Sequence, residues 1–502
     1  MAFPYNDLRA FLDDCENKGE LVRVKKKVDW NLELGGIARS VMRKEGPALL
    51  FENIKGYENA RCRRLFINGL GNRQRVAMAL GLPLEASYRD ITTTMKERLL
   101  RPVAPVEVPS GPVKEVILRG DEIDLYEFPI PKYNHMDGGR YINTYCGVAT
   151  MNPETKVMNV GTYRGMILEK NKIGVLLATT QHWGHHFLKY REMGREMPVA
   201  VVYGWDPTLL MVAGAPIVHH GRSEYDYCGA LRECPVELVK CETSDIMVPA
   251  TAEIVVEGFI NPDPGTYEME GCFGEYPGTY GGLKSLKPVL RVECITHRKD
   301  PIFRGGLVGN TPGRLSEDGC WISPAVCAVI WNHLDDVGVP NVLGVWGSPV
   351  TVANNVRVQI KKIYRGHAQQ VAMALWSNSI SNYSCKNVVV VDEDIDVFSD
   401  EAIEWAISYR TNAEMHDIQF FHNTFGSMLD PSTPLPLRNV QKYGQGKTSR
   451  VLIDATVNWE LEPEDLYGGK RFPDLCTFLS PEIEGVINSR WEEYGIGDEW
   501  RP

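Results

Sequence analysis

Between about residue 116 and residue 310 the chain is a succession of short β-prone runs, each cut off by glycine or proline. The clearest are residues 157–163, 174–177, 199–203 and 252–258. A short strand without neighbours leaves its backbone donors and acceptors unpaired, so many of them in series call for a sheet that curls on itself. This stretch predicts a barrel-like middle domain.

The flanks read differently. Residues 5–18 place Leu8, Phe11, Leu12 and Cys15 at helical spacing, with Gly19 as a stop. An alternating strand (21–24), a helical stretch (34–44) and a short strand (48–51) follow, which implies an α/β domain. Residues 102–113 hold four prolines, which forbid a regular helix and mark a linker. Beyond Ser323 the α/β pattern returns: residues 387–391 read as a buried strand, and Ser399 or Asp400 caps a helix carrying Ala402, Ile403, Trp405 and Ala406. The expected fold class is therefore mixed α/β (α+β), in three domains: 1–115 with the linker, 116–322, and 323–502 with a helical tail. A length of 502 residues suits two to four domains at about 150 residues each.

Composition excludes several partners. With 54 Lys and Arg against 65 Asp and Glu, the net charge of −11 offers no electrostatic grip on nucleic acid or an anionic membrane. The first residues show no basic segment followed by an apolar one, and no run nears the roughly 18 apolar residues that span a bilayer. The 12 cysteines are scattered without a C-x-x-C pair, which suits a reducing compartment. The expected location is the cytoplasm.

Three motif-like segments fail on their spacing. Gly69–Gly71 begins like a dinucleotide loop, but Gln74 takes the third glycine's place. Gly446-Lys447-Thr448 resembles the end of a phosphate loop whose first glycine is replaced by Gln441. The acidic run 392–396 lacks the glycine and distal glutamate of a calcium loop and reads as a solvated turn. The run Glu270–Glu275 is more informative, because two carboxylates flank glycines that let the backbone turn sharply. Two acids sharing a dry pocket push one pKa upward, as a proton donor requires, although a surface turn accounts for the same residues. Asn159, Arg164, His182 and Glu237 stand on or beside strand-like runs. Asn, His and Glu together suit a divalent ion such as Mn2+ or Mg2+, while each taken singly also fits a satisfied polar core group.

Taken together and in order, six segments resemble the UbiD family of reversible decarboxylases: Asp137–Tyr141, Asn159–Arg164, Gln181-His182, Glu237–Lys240, Val248–Glu253 and Glu270–Glu275. The resemblance implies a split β-barrel of the flavin-reductase kind in the middle domain, with prenylated FMN between it and the C-terminal α/β domain. It implies that Asn159, His182 and Glu237 hold a divalent metal (Mn2+ or Mg2+) on the cofactor phosphate, with K+ nearby. Val160, Gly161, Thr162, Tyr163, Arg164, Gln181, Ala213, Gly214, Ala215 and Pro216 then line the flavin. Arg164, Glu270 and Glu275 become the catalytic set. One branch of the family uses a lysine on the phosphate where Ser379 stands here; Lys362, next to Lys361, is the expected substitute. The family further implies an aromatic, heteroaromatic or α,β-unsaturated acid as substrate, a flavin prenyltransferase as cofactor supplier, and a homo-oligomer (dimer or hexamer). Asp137–Tyr141 carries no chemistry that its residue types prescribe. A plain flavin reductase and a non-catalytic cofactor carrier are the competing readings; neither needs a Glu–Arg–Glu set.

Overall fold

The helix Leu8–Asn17 starts where the Asp7 carboxylate accepts the Ala10 N–H and stops before Gly19, whose φ of 74° a residue with a Cβ adopts only at a cost. Its buried face is Leu8, Phe11, Leu12 and Cys15. Beside it Leu21–Val24 pairs in parallel with Ala48–Phe51, which runs antiparallel to Arg64–Ile67. The fourth strand of this sheet comes from far along the chain: Ile302–Arg304 adds in parallel to Arg64–Ile67. The computed structural model describes residues 3–215, 221–281, 284–310, 312, 314–382, 384–476 and 479–501.

The β-rich stretch forms a nine-stranded sheet curled into a half-barrel. At its centre Met197–Tyr203 pairs with Ile254–Ile260 over seven residues, and Ile254–Ile260 with the long strand Val289–His297. Both central strands are apolar along almost their whole length because both faces are covered. Of the proline-rich stretch, Val106–Glu107 makes a two-residue strand against Glu237–Lys240, and no α-helix forms there.

The C-terminal sheet runs Val342–Trp346, Asn355–Ile360, Asn387–Val391, Gly446–Ala455, Ile418–Gly426. Its three inner strands are parallel and both edges antiparallel. The long helix Glu317–Asp336 packs between this sheet and the rest of the molecule, and one apolar cluster runs from Phe11 and Phe66 through Trp321 to Val388 and Leu452. The division expected after residue 322 falls inside that helix, whose start is set further back by the Ser316 side chain accepting the Gly319 N–H.

The two phosphate-loop lookalikes are ordinary structure. Asn72 caps the short helix Arg73–Ala79, and Gly446–Thr448 opens a ten-residue strand. The acidic run 392–396 is not simply solvated, since Asp392 and Asp394 pair with the buried Arg410. Among the described residues no helix is long and apolar enough to cross a membrane. All twelve cysteines are unpaired.

Candidate active site

The turn Glu270–Glu275 lies between two small hairpins. Glu268–Glu270 pairs with Ser285–Lys287, and Phe273–Gly274 with Tyr280–Gly281. It delivers both carboxylates to Arg164, which follows the strand Met158–Gly161. Arg164 Nη2 donates to Glu270 Oε2 at 3.0 Å and Nη1 donates to Glu275 Oε1. Glu270 is fully buried and Glu275 nearly so. Burial pushes the Glu275 carboxyl up; the Arg164 guanidinium opposes that shift, and Glu270 and Asp137 add to it.

The segment Asp137–Tyr141, whose residue types prescribe nothing, braces this turn. One Asp137 oxygen accepts the Gly274 N–H at 3.1 Å and the other accepts the Asn134 N–H at 2.9 Å. The Gly138 N–H donates to the Cys272 carbonyl at 2.8 Å, and the Tyr141 hydroxyl donates to Glu270 Oε1 at 2.9 Å. A Cβ on Gly138 would stand 1.8 Å from the Gly271 carbonyl oxygen, so only glycine permits this approach. Gly138→Ala is expected to destabilise the protein by about 1–3 kcal/mol, the usual cost of forcing atoms into a filled space. A lowered unfolding midpoint in urea, with an unchanged slope, would show it.

Arg164 and Glu275 open into a cavity of about 290 Å3 between the half-barrel and the C-terminal unit. It is lined from the half-barrel by Asn159, Gly161–Arg164, Gln181, His182 and Ala213–Ala215, and from the other side by Asp318, Trp321, Ser379 and Ser384 among others. Val160 is buried behind this wall, and Glu270 stands behind Arg164. Pro216 lies outside the described residues. Tyr163 is stacked on Trp183 with ring centroids 4.3 Å apart, and its hydroxyl accepts from Asn159 Nδ2 at 3.3 Å, which fixes the wall. His182 is the first residue of the helix His182–Glu192, so that helix presents its positive end to the cavity beside Asn159.

Two expected residues are elsewhere. Glu237 is exposed: it begins a strand of the small three-stranded sheet, where Leu238 and Val239 turn inward and both end residues face solvent. The carboxylate that joins Asn159 and His182 at the cavity is Glu224, which is 4% exposed and accepts the Val160 N–H at 2.6 Å. Its sequence signal was present in Ser223-Glu224-Tyr225-Asp226: Ser223 and Asp226 form a capping box, which leaves the intervening Glu224 free of the capping task. Lys362 is also absent from the cavity. Its Nζ donates to Thr456 Oγ1 and the Val457 carbonyl at 2.8 and 2.9 Å, holding the end of the sheet. Among the described residues lining the cavity there is no lysine, and Ser379 faces it instead.

Asn159, His182 and Glu224 supply an amide oxygen, an imidazole and a carboxylate, a mixed O/N set that fits a hard or borderline divalent cation. A mostly apolar cavity with a helix N-terminus at one side fits a phosphorylated planar cofactor.

Three family models match the chain in order: the 3-octaprenyl-4-hydroxybenzoate carboxy-lyase N-terminal domain over residues 12–95, the Rift-related domain over 105–311 and the C-terminal domain over 321–455. Fold and matches together define a carboxy-lyase. The chain belongs to the UbiD family. It is similar to the vanillic acid decarboxylase of Sedimentibacter hydroxybenzoicus in closed form, with 29% identity, a TM-score of 0.87, and coverage of 99% of this chain and 100% of that one. The UbiD-class enzyme HmfF from Pelotomaculum thermopropionicum in complex with FMN is 31% identical, with a TM-score of 0.79 and coverage of 97% and 100%. An evolved dimeric form of HmfF in complex with prFMN is 29% identical, with a TM-score of 0.77 and the same coverage.

Proposed function

We propose that this carboxy-lyase removes CO2 reversibly from an aromatic, heteroaromatic or α,β-unsaturated carboxylic acid with prenylated FMN in the cavity. The observation that carries the reading is Arg164 forked between two buried carboxylates in the wall of a cavity that also gathers Asn159, His182 and Glu224. No side chain stores the electron pair left when CO2 departs from an sp2 carbon; the cofactor, when bound, supplies that electron sink. Asn159, His182 and Glu224 would hold a divalent ion (Mn2+ or Mg2+), which would supply positive charge for the cofactor phosphate, and K+ would be the second cation. A flavin prenyltransferase supplies the cofactor, and the chain works as a homo-oligomer.

The chain's own groups do the rest. Arg164 grips the substrate carboxylate through its planar fork. Glu270, fixed by Tyr141, keeps the guanidinium oriented. Glu275, held toward its protonated form by burial, passes its proton to the carbon that loses CO2 and is reprotonated from solvent.

The test is CO2 release from a panel of such acids by protein co-expressed with a flavin prenyltransferase, compared with the same protein holding plain FMN. Turnover is expected only in the first preparation. Equal turnover with FMN alone, or none with either, would sink the reading, and NADH oxidation would favour a flavin reductase.

A further inference from the structure

Where the cavity meets the first turns of the helix Glu317–Asp336, two buried polar atoms have no hydrogen-bond partner: Asp318 Oδ1 and Trp321 Nε1. The residues are 2% and 1% exposed, and both line the cavity. Three apart on a helix, they share a face. Each is held firmly in place. The other Asp318 oxygen accepts the Gly309 N–H at 3.3 Å. The Trp321 ring meets Tyr145 edge-on at 5.9 Å, and its far edge fills the space where a Cβ on Gly214 would stand, 2.3 Å away. Val308, Ile322 and Val326, which also line the cavity, are apolar; of the hydroxyls beside Asp318, Ser316 donates to Asn310 Oδ1 and Tyr145 donates to the Leu307 carbonyl at 3.4 Å. Burial pushes the Asp318 carboxyl up to about 6, which marks how little water reaches it.

A buried acceptor and a buried donor, both unpaired, on one wall of a ligand cavity are a recognition pair, because native interiors leave few such groups unsatisfied. A ring hydroxyl answers both at once: its O–H donates and its oxygen accepts. A methoxy oxygen would satisfy only the tryptophan, and a ring N–H only the carboxylate.

We propose that Asp318 and Trp321 are specificity-determining residues that hold a hydroxyl group on the substrate ring, Asp318 Oδ1 accepting its proton and Trp321 Nε1–H donating to its oxygen. The inference rests on the decarboxylase reading and narrows the substrate to hydroxylated aromatic acids.

The test measures binding, so that it does not depend on turnover. Flavin-loaded protein carrying Glu275→Gln is titrated calorimetrically with 2-, 3- and 4-hydroxybenzoate and with benzoate, alone and combined with Asp318→Leu or Trp321→Phe. At least one hydroxybenzoate is expected to bind about tenfold or more tighter than benzoate, the effect of one charge-assisted hydrogen bond. Either added substitution is expected to bring that ratio close to one with flavin content retained; Trp321→Phe removes the N–H together with the five-membered ring, and benzoate binding to the same variant reads the effect of the lost packing. A preference that survives both substitutions would overturn the inference, as would the absence of any preference. Loss of flavin in Asp318→Leu would overturn it as well, by assigning the pair to the cofactor. CO2 release by the unsubstituted enzyme is scored separately, so failure of the decarboxylase reading is distinguishable from failure of this one.

Discussion

Glu275→Gln is expected to lower decarboxylation by at least ~100-fold, the usual loss when a general acid is removed, with flavin content and folding retained. Glutamine keeps the shape and can still accept from Arg164, but it has no proton to transfer. Exchange of solvent hydrogen at the carbon that loses CO2 should fall in parallel, because one carboxyl serves both directions. The pH profile gives a second readout. Burial holds Glu275 above the ordinary carboxylate range, so its proton is present below that raised pKa and lost as pH rises through it. The alkaline fall in kcat should therefore lie above the ~4.3 of free glutamic acid and disappear in the variant's residual rate. Glu270→Gln is the informative contrast, since it disturbs Arg164 and Tyr141 rather than the proton donor. If Glu270→Gln abolished exchange while Glu275→Gln kept it, the two roles would have to be swapped.

Glu224→Gln is expected to strip metal and flavin together, whereas Glu237→Gln should leave both at the unsubstituted level. Even partners outside a metal's coordination sphere typically cost 10- to 100-fold in affinity, so losing a ligand charge should cost about 100-fold or more. Glu224 is buried at the cavity beside Asn159 and His182, and Glu237 is on the surface. Metal analysis paired with flavin absorbance on the purified proteins reads the result. Full metal and flavin in Glu224→Gln would remove it from the site.

Local elements were legible wherever a few neighbouring residues decide them. The strands Leu21–Val24, Ala48–Phe51 and Asn387–Val391 fall on the expected residues, and Ser399 caps Asp400–Arg410 by accepting the Ala402 N–H. The grouping of Asn159, Arg164, Gln181, His182 and Glu275 around one cavity was legible only through the ordered set of motifs, since their spacing of up to about a hundred residues encodes no proximity by itself. Glu237 illustrates the failure. An acid in a strand-like run suggests a buried, partnered charge, but the end residue of a four-residue strand reaches water even where Leu238 and Val239 beside it are buried. Lys362 fails for a related reason, because a lysine's long reach allows several partners and the sheet end claimed it. Asp137–Tyr141 could not be read at all: its role is to accept and donate backbone hydrogen bonds to a turn more than a hundred residues later.

The strand Ile302–Arg304 has a consequence for how the chain is made. Until synthesis has passed Arg304, the N-terminal sheet ends at Arg64–Ile67, a strand with Leu65, Phe66 and Ile67 buried in the finished protein and nothing to cover its open side. An apolar edge of this kind is a template for pairing with another copy. The first hundred residues are therefore not a unit that can be cut out and handled by itself. A fragment ending at residue 115 should aggregate more readily than the whole chain, because the three residues that close its sheet are supplied only by Ile302–Arg304.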